Sequence, residues 1–226
     1  MDTPLFGFFI TILAFQIGVY INEKTKLAIL NPLIIAIVII IIPLMAFNID
    51  YEIYNRGGSI VGFFLAPATV CLAVPLYKQI ERLKQNSIPI IIGVLVGVTV
   101  GIVSVVYLGK LFKLEEIMIL SLVPKSVTAA ISIEISKEIG GIPALTMAAT
   151  VIAGILGGII GPNICRLFKI KDEIAIGLSL GTASHAIGTA KAMESSEIGG
   201  AMGSLAIGIA GLMTVFLAPW LVKILL

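Results

Sequence analysis

SLVPKSVTAAISIE, residues 121–134, puts a proline, a lysine, four small hydroxyl residues and a glutamate into a sequence otherwise apolar enough to sit in lipid. A second stretch, GLSLGTASHAIGTAKA at 177–192, holds the single histidine of the chain. A lysine at the centre of a membrane helix costs roughly 2.5–3.5 kcal/mol on insertion scales, so two such polar stretches in a small protein point to a buried site for a polar solute.

The surrounding composition settles the class. Hydrophobic residues make up 58% of the 226 and charged residues 12%, and the mean hydropathy is +1.12. A soluble domain carries about twice that charged fraction. The chain is expected to be an all-α, polytopic integral membrane bundle forming one domain over residues 1–226. The net charge of +2 comes from 15 basic and 13 acidic residues that sit mostly between apolar runs, which argues against a nucleic-acid partner. Cys71 and Cys165 lie in or beside apolar segments without metal-like spacing and read as small buried hydrophobes. The first segment lacks a basic leader and a small-residue cleavage site, and is expected to be a retained helix.

Eight apolar segments are predicted: 4–21, 28–47, 59–76, 88–108, 117–135, 142–161, 174–192 and 198–225. All are expected to be helical, because a lipid core offers backbone groups no water. Three are candidates for interrupted or re-entrant helices: the third, with Pro67 and Pro75; the fifth, with Pro124; and the seventh, with its Gly-Thr-Ala-Ser-His run. LAPATVCLAV (65–74) aligns with LVPKSVTAAI (122–131), and SIPIIIGVLVGVTVG (87–101) with GIPALTMAATVIAGI (141–155), which suggests an internal repeat. If the fifth segment dips in and returns, Arg166, Lys169 and Lys171 fall on the same side as Lys78, Arg82 and Lys84, as the positive-inside rule expects. Glycines four apart, such as Gly93, Gly97 and Gly101 or Gly154 and Gly158, are read as tight helix packing, with a dimer interface or a sliding surface as the alternative.

The ionisable residues carry two readings each. Lys125 follows Pro124 and precedes Ser126 and Thr128, where a second half-helix would begin; a helix N-terminus beside a lysine suits a carboxylate. Against this stands a lysine that snorkels to head groups or pairs with Glu134 or Glu138. His185, flanked by Thr182, Ser184 and Thr189, is either a solute- or proton-handling group or a structural hydrogen-bonding residue. Glu134, Lys191 and Glu194 read as a solvated, salt-bridged face. GLSLG at 177–181 matches the nucleophile-elbow string, but in a membrane helix it lacks the strand and oxyanion hole, and no metal motif is present. The chain is not expected to be an enzyme or to carry a cofactor or metal.

Beyond their chemistry, PATVCLAVPLYKQ (67–79), PKSVTAAISIEISKEIGGIP (124–143) and above all GLSLGTASHAIGTAKAMESSEIGGAMGSLAIGIAGLMT (177–214) resemble the LrgB/CidB family over nearly the whole chain. The resemblance implies a multi-pass protein of a bacterial plasma membrane. It implies two functions: holin- or antiholin-like control of murein hydrolases and autolysis with a small LrgA/CidA-type partner, and transport of small monocarboxylates, as in plastid relatives that exchange glycolate and glycerate and bacterial pairs linked to pyruvate uptake. The motif match covers Pro124, Lys125, Ser126 and Thr128, then Thr182, Ser184, His185 and Thr189, with Pro67 and Thr69 in the first half.

The leading expectation is therefore a secondary carrier for a small carboxylate anion, working by alternating access around a broken-helix site. Its substrate-binding residues would be Pro124, Lys125, Ser126, Thr128, Thr182, Ser184, His185, Thr189 and Thr69. The alternative is a holin/antiholin-like regulator. A homodimer is expected from the glycine-rich faces.

Overall fold

In the computed structural model, residues 4–25, 30, 32–64, 67, 77, 80–85 and 87–226 are described. The chain divides into two compact units, Met1–Cys71 and Leu72–Leu226. Among the described residues all regular structure is helical, as the absence of water in lipid demands.

The first unit contains α1 (Pro4–Thr25), α2 (Pro32–Ala46) and α3 (Tyr51–Phe63). Gly7 and Gly57 let α1 and α3 touch backbone to backbone: a Cβ at Gly57 would overlap the Pro4 carbonyl. The Thr11 and Tyr54 hydroxyls, 3.0 Å apart, tie the same pair. The predicted segment 59–76 starts inside α3, which begins eight residues earlier; Thr69 and Pro75 lie outside the described residues, and Pro67 is exposed.

The second unit contains α4 (Ile80–Gln85), α5 (Ser87–Leu111), α6 (Glu116–Leu122), α7 (Ala129–Ile139), α8 (Pro143–Leu167), α9 (Glu173–Ser195) and α10 (Glu197–Leu225). Of these, α5, α8 and α10 are long and apolar enough to cross a membrane, as is α1 in the first unit. α5 and α10 run side by side in the same direction. Ile90 shares a cluster with Ala201 and Met202 at one end, and the Lys110 ammonium donates to the Leu225 carbonyl at the other. α8 runs between the two polar stretches in the opposite sense.

The fifth and seventh apolar segments do not cross. Residues 116–139 form a hairpin: α6, a series of turns over 123–127, and α7. Ser121, near the end of α6, accepts from the Ile142 amide at 2.8 Å, beyond the end of α7, so both limbs return to one level. α7 lies antiparallel on α8, with Ser136 opposite Thr146 and Ser132 opposite Thr150. The half-helix begins at Ala129, four residues later than Lys125, because Pro124 starts turns and not a helix.

α9 is a second hairpin, built without proline. Its helix breaks at Ser184 (φ −135°, ψ 18°) and His185 (φ 43°, ψ −134°). Gly188 packs on the Leu180 carbonyl, eight residues back, whereas a continuous helix would separate them by about 12 Å. A Cβ at Gly199 would have the Ala192 carbonyl at 3.3 Å and the Glu173 carbonyl at 3.6 Å, so both ends of α9 stand beside the start of α10. The outgoing limb pairs Gly177 with Gly199 and Gly181 with Gly203; the returning limb lays Thr189 against Gly203 and Met193 against Gly200. The two hairpins enter from opposite sides and point at each other.

The expected match of 87–101 with 141–155 falls on α5 and α8, whereas 65–74, set against 122–131, lies almost wholly outside the described residues; among the described residues the repeat pairs α5 and the first hairpin with α8 and the second. LFKLEEI (111–117) leads from α5 into the first hairpin, and LFKIKDEI (167–174) leads from α8 into the second; SKEIGG (136–141) and SSEIGG (195–200) close them. The local geometry repeats with the letters. Lys113 (φ 55°) and Lys169 (φ 57°) both adopt the left-handed conformation, with six-to-one bonds Leu114 N to Gly109 O at 2.9 Å and Ile170 N to Cys165 O at 2.8 Å. The same cap ends α2, at Asn48 (φ 47°), with Ile49 N to Leu44 O at 2.9 Å, in the related sequence FNIDYEI (47–53). A crossing helix followed by a hairpin thus occurs twice among the described residues of the second unit, in inverted orientation.

The side reached by Arg82 and Lys84 before α5 is also the side of Arg166, Lys169, Lys171 and Lys191, while Lys110, Lys113, Lys137 and Lys223 are opposite. The rule for basic residues places the first group in the cytoplasm. With Cys71 and Cys165 replaced, Lys113→Cys and Lys137→Cys are expected to react with an impermeant thiol reagent from the outside only, and Lys171→Cys and Lys191→Cys from the inside only. Labelling of positions 113 and 137 from opposite faces would contradict the first hairpin.

Candidate functional site

The hairpin tips flank a cavity of about 650 Å³ in the second unit. Its rim is formed by Pro89 and Ile90 of α5 and by Asp172, Ile174 and Ala175 at the start of α9; its far end is formed by Val123, Lys125, Ser126 and Val127 of the first hairpin and Thr214 of α10. The side wall is the outgoing limb of α9, with Ser179, Thr182 and Ala183, facing Gly93, Gly97 and Gly101 of α5. The volume falls within the usual range for a small-molecule site. It is far larger than a three-carbon acid needs on its own.

Lys125 is half-buried, and its ammonium donates to the Ser126 hydroxyl at 3.2 Å. Among the described residues no carboxylate lies within ion-pairing reach of it. Glu134, one of the partners weighed for it, instead accepts from Lys137 at 2.7 Å on an exposed face. Lys191 and Glu194 form a similar exposed pair at 2.5 Å; such pairs contribute little to stability. The carboxylate that does line the cavity, Asp172, caps α9 by accepting from the Ala175 amide at 2.8 Å.

Of the residues singled out from sequence, Lys125, Ser126 and Thr182 share the cavity wall. Pro124 is fully buried beneath the turn, and Thr128 precedes α7 as its N-cap without a side-chain capping bond. Ser184, His185 and Thr189 are buried away from the cavity wall, at 1%, 6% and 0% exposure. The His185 Nε2 lies 3.0 Å from the Thr150 carbonyl of α8. A carbonyl can only accept, so this nitrogen carries the proton. Thr189 Oγ1 is buried without a partner among the described residues and packs on Gly203.

The glycines divide into two kinds, which their common spacing did not distinguish. On α8, Gly154 and Gly157 are needed for close approach: a Cβ at 154 would lie 2.6 Å from the His185 ring, and one at 157 would overlap the Ser184 hydroxyl. On α5, Gly93 and Gly101 meet nothing within 4 Å and open onto the cavity. Gly97, between them, packs on Thr182, whose methyl would lie 3.0 Å from a Cβ there, so the α5 stripe is cavity wall at its two ends and packing surface at its centre. Thr214 and Asp172 were missed from sequence. Thr214 donates to Ala210 within its own helix at 2.6 Å and sits in an apolar run with nothing to mark it, whereas the cap sequence Asp172-Glu173 was a readable signal.

The φ of 43° at His185 belongs to a region that glycine tolerates and side chains do not, at a cost of about 1–3 kcal/mol. The hydrogen bond to Thr150 and the fit against Gly154 offset that strain. We expect His185→Gly to be more stable than His185→Ala by about 1–3 kcal/mol in thermal unfolding of the detergent-solubilised protein, the reverse of the helix-interior order. Equal stability, or alanine the better residue, would remove the strained turn.

The model of the LrgB-like family matches residues 11–224. Proteins named antiholin-like protein LrgB from Bacillus mycoides (strain KBAB4), Bacillus cereus (strain B4264) and Bacillus anthracis (strain CDC 684 / NRRL 3495) are each 37% identical over 218 residues, covering 96% of this chain and 95% of theirs. No solved structure matches the chain significantly.

Proposed function

The chain belongs to the LrgB-like family of multi-pass bacterial membrane proteins, and we propose that it acts as an antiholin-like regulator of autolysis. The observation behind this reading is the name shared by relatives that align over 96% of its length. Those names weigh for the regulator, the alternative at the level of sequence, above the carrier. A small LrgA/CidA-type membrane protein is the partner this reading calls for. In a strain lacking its own copy, expression of the chain is expected to slow detergent-induced lysis and to lower murein hydrolase activity in zymograms. Unchanged lysis, with the protein present in the membrane, would count against it.

A second reading, transport of a small monocarboxylate, has its own support in the cavity. An ammonium without a carboxylate partner among the described residues, beside a serine hydroxyl and sharing the cavity wall with Thr182, at the meeting point of two inverted hairpins, is the arrangement that a carrier's anion site needs. The anion would supply the missing counter-charge and accept from Lys125 and the hydroxyls. The two readings are compatible, since a carrier that alters the supply of a weak acid can alter lysis indirectly.

Counterflow of labelled pyruvate, glycolate or glycerate in proteoliposomes tests the carrier. Saturable exchange is expected, and Lys125→Ala is expected to abolish it while the protein still inserts and folds. A leak of large solutes without saturation would sink the carrier and leave a pore. His185→Gln is expected to keep the parent pH profile, because the ring is engaged by a backbone carbonyl; an altered profile would return His185 to a proton-handling role.

A further inference from the structure

Thr150, two turns into α8, is among the described residues the one that hydrogen-bonds to both hairpins, and neither composition nor motif draws attention to it. Its side chain is 1% exposed. The hydroxyl donates to Ser132 Oγ at 3.1 Å, and Ser132 donates onward to the Ala129 carbonyl at 2.9 Å, in the first turn of α7. Ala129 follows the turn that carries Lys125 and Ser126. The Thr150 carbonyl is the partner of His185 Nε2 at 3.0 Å, in the turn that follows Thr182 and Ala183.

We propose that Thr150 is a positioning residue: it ties the tips of the two hairpins together through α8 and so sets the spacing between Lys125 and Thr182 across the cavity. The inference deepens the carrier reading and rests on it for the role of the cavity, but the tie itself is a statement about structure. Three observations carry it. The bonds run from two different atoms of one residue to two elements that enter from opposite sides. Gly154, one turn along α8, is small enough to admit the imidazole to the carbonyl. α5, which occupies the corresponding place in the inverted repeat, touches the hairpins at Gly97 against Thr182 and Gly109 against Ile119 but, among the described residues, makes no hydrogen bond to either. The hairpins are therefore hydrogen-bonded to α8, whereas α5 meets them through apolar contacts beside the cavity. A site whose two walls hang on one residue loses preorganisation when that residue's bonds are cut, and the loss falls on binding before it falls on turnover.

The test uses the full chain with Cys71 and Cys165 replaced and spin labels at Ala130→Cys and Ala186→Cys, two exposed positions outside the cavity, in lipid nanodiscs. Electron–electron double resonance is expected to give a single narrow distance distribution for the parent. Thr150→Val should broaden it and Thr150→Ser should restore it. Ser132→Ala removes the same bond from the other end, so it should broaden the distribution as Thr150→Val does, and the double variant should be no broader than either single one. In proteoliposomes without labels, Thr150→Val is expected to raise KM for labelled pyruvate about fivefold, the worth of one neutral hydrogen bond, with kcat little changed. A distribution in Thr150→Val and Ser132→Ala as narrow as the parent's would overturn the proposal. If the parent shows no saturable exchange while the distributions respond as stated, the carrier reading fails and the tie stands.

Discussion

Water is absent from the middle of a bilayer, so wherever a helix stops there, its freed amides and carbonyls must be met by protein. Among the described residues helices stop at mid-membrane at two places, 123–128 and 184–185, and most of the described part of the second unit is arranged around those two stops. Serines and threonines in helical frames answer them. Ser121 accepts the Ile142 amide, Thr146 donates to the Ser121 carbonyl at 2.8 Å, and Thr150 serves the two tips. The buried hydroxyls of Ser121, Thr146 and Thr150 are inexpensive to keep because each has a partner, and costly to remove because the partner would then be stranded. The apolar cluster of Val94, Val98, Ile102, Ile119, Val127 and Ala210 fills the space around these bonds without competing for them.

Two ways of turning a chain inside a membrane appear side by side. In the first hairpin proline removes a donor and a series of turns absorbs the change of direction. In the second, no proline is present, and a histidine is forced into a backbone conformation normally left to glycine. The two tips therefore differ in origin: the first is favoured by the covalent structure of the chain, whereas the second exists because its surroundings hold it. Close approach of α8 through Gly154 and Gly157 is what makes that holding possible.

The same contrast explains what could be read from sequence. Hydropathy located α1, α5, α8 and α10 to within a few residues, because each faces lipid along much of its length. Pro124 and the displaced charges of Arg166, Lys169 and Lys171 marked the first hairpin. The Gly-Thr-Ala-Ser-His run marked α9 as a candidate for interruption, but its folding back at Ser184 and His185 depends on contacts with α8 and α10 that no local pattern encodes. For the candidate site, ionisable character was legible and direction was not: Lys125, Ser126 and Thr182 reach the cavity, while Ser184 and His185, a turn away or less, face α8. Glycine spacing was legible as close packing, which holds at Gly97, yet at Gly93 and Gly101 the missing side chains leave room for a solute. Of the repeat, 87–101 beside 141–155 was visible, but letters alone set the first hairpin against 65–74, and its correspondence with α9 became evident only with the matching left-handed caps at Lys113 and Lys169.

The hairpins also have even parity. Each enters and leaves by the same face, so neither changes the side on which the rest of the chain emerges. A copy whose hairpin failed to form would still deliver α8, α10 and the C-terminus to their proper faces, and a surveillance system that checks only the sidedness of loops would pass it. The defect would instead surface as a lysine and a row of serines left against hydrocarbon, which makes recognition of misplaced polar groups within the membrane, and not of topology, the means by which faulty copies of such a protein can be told from sound ones.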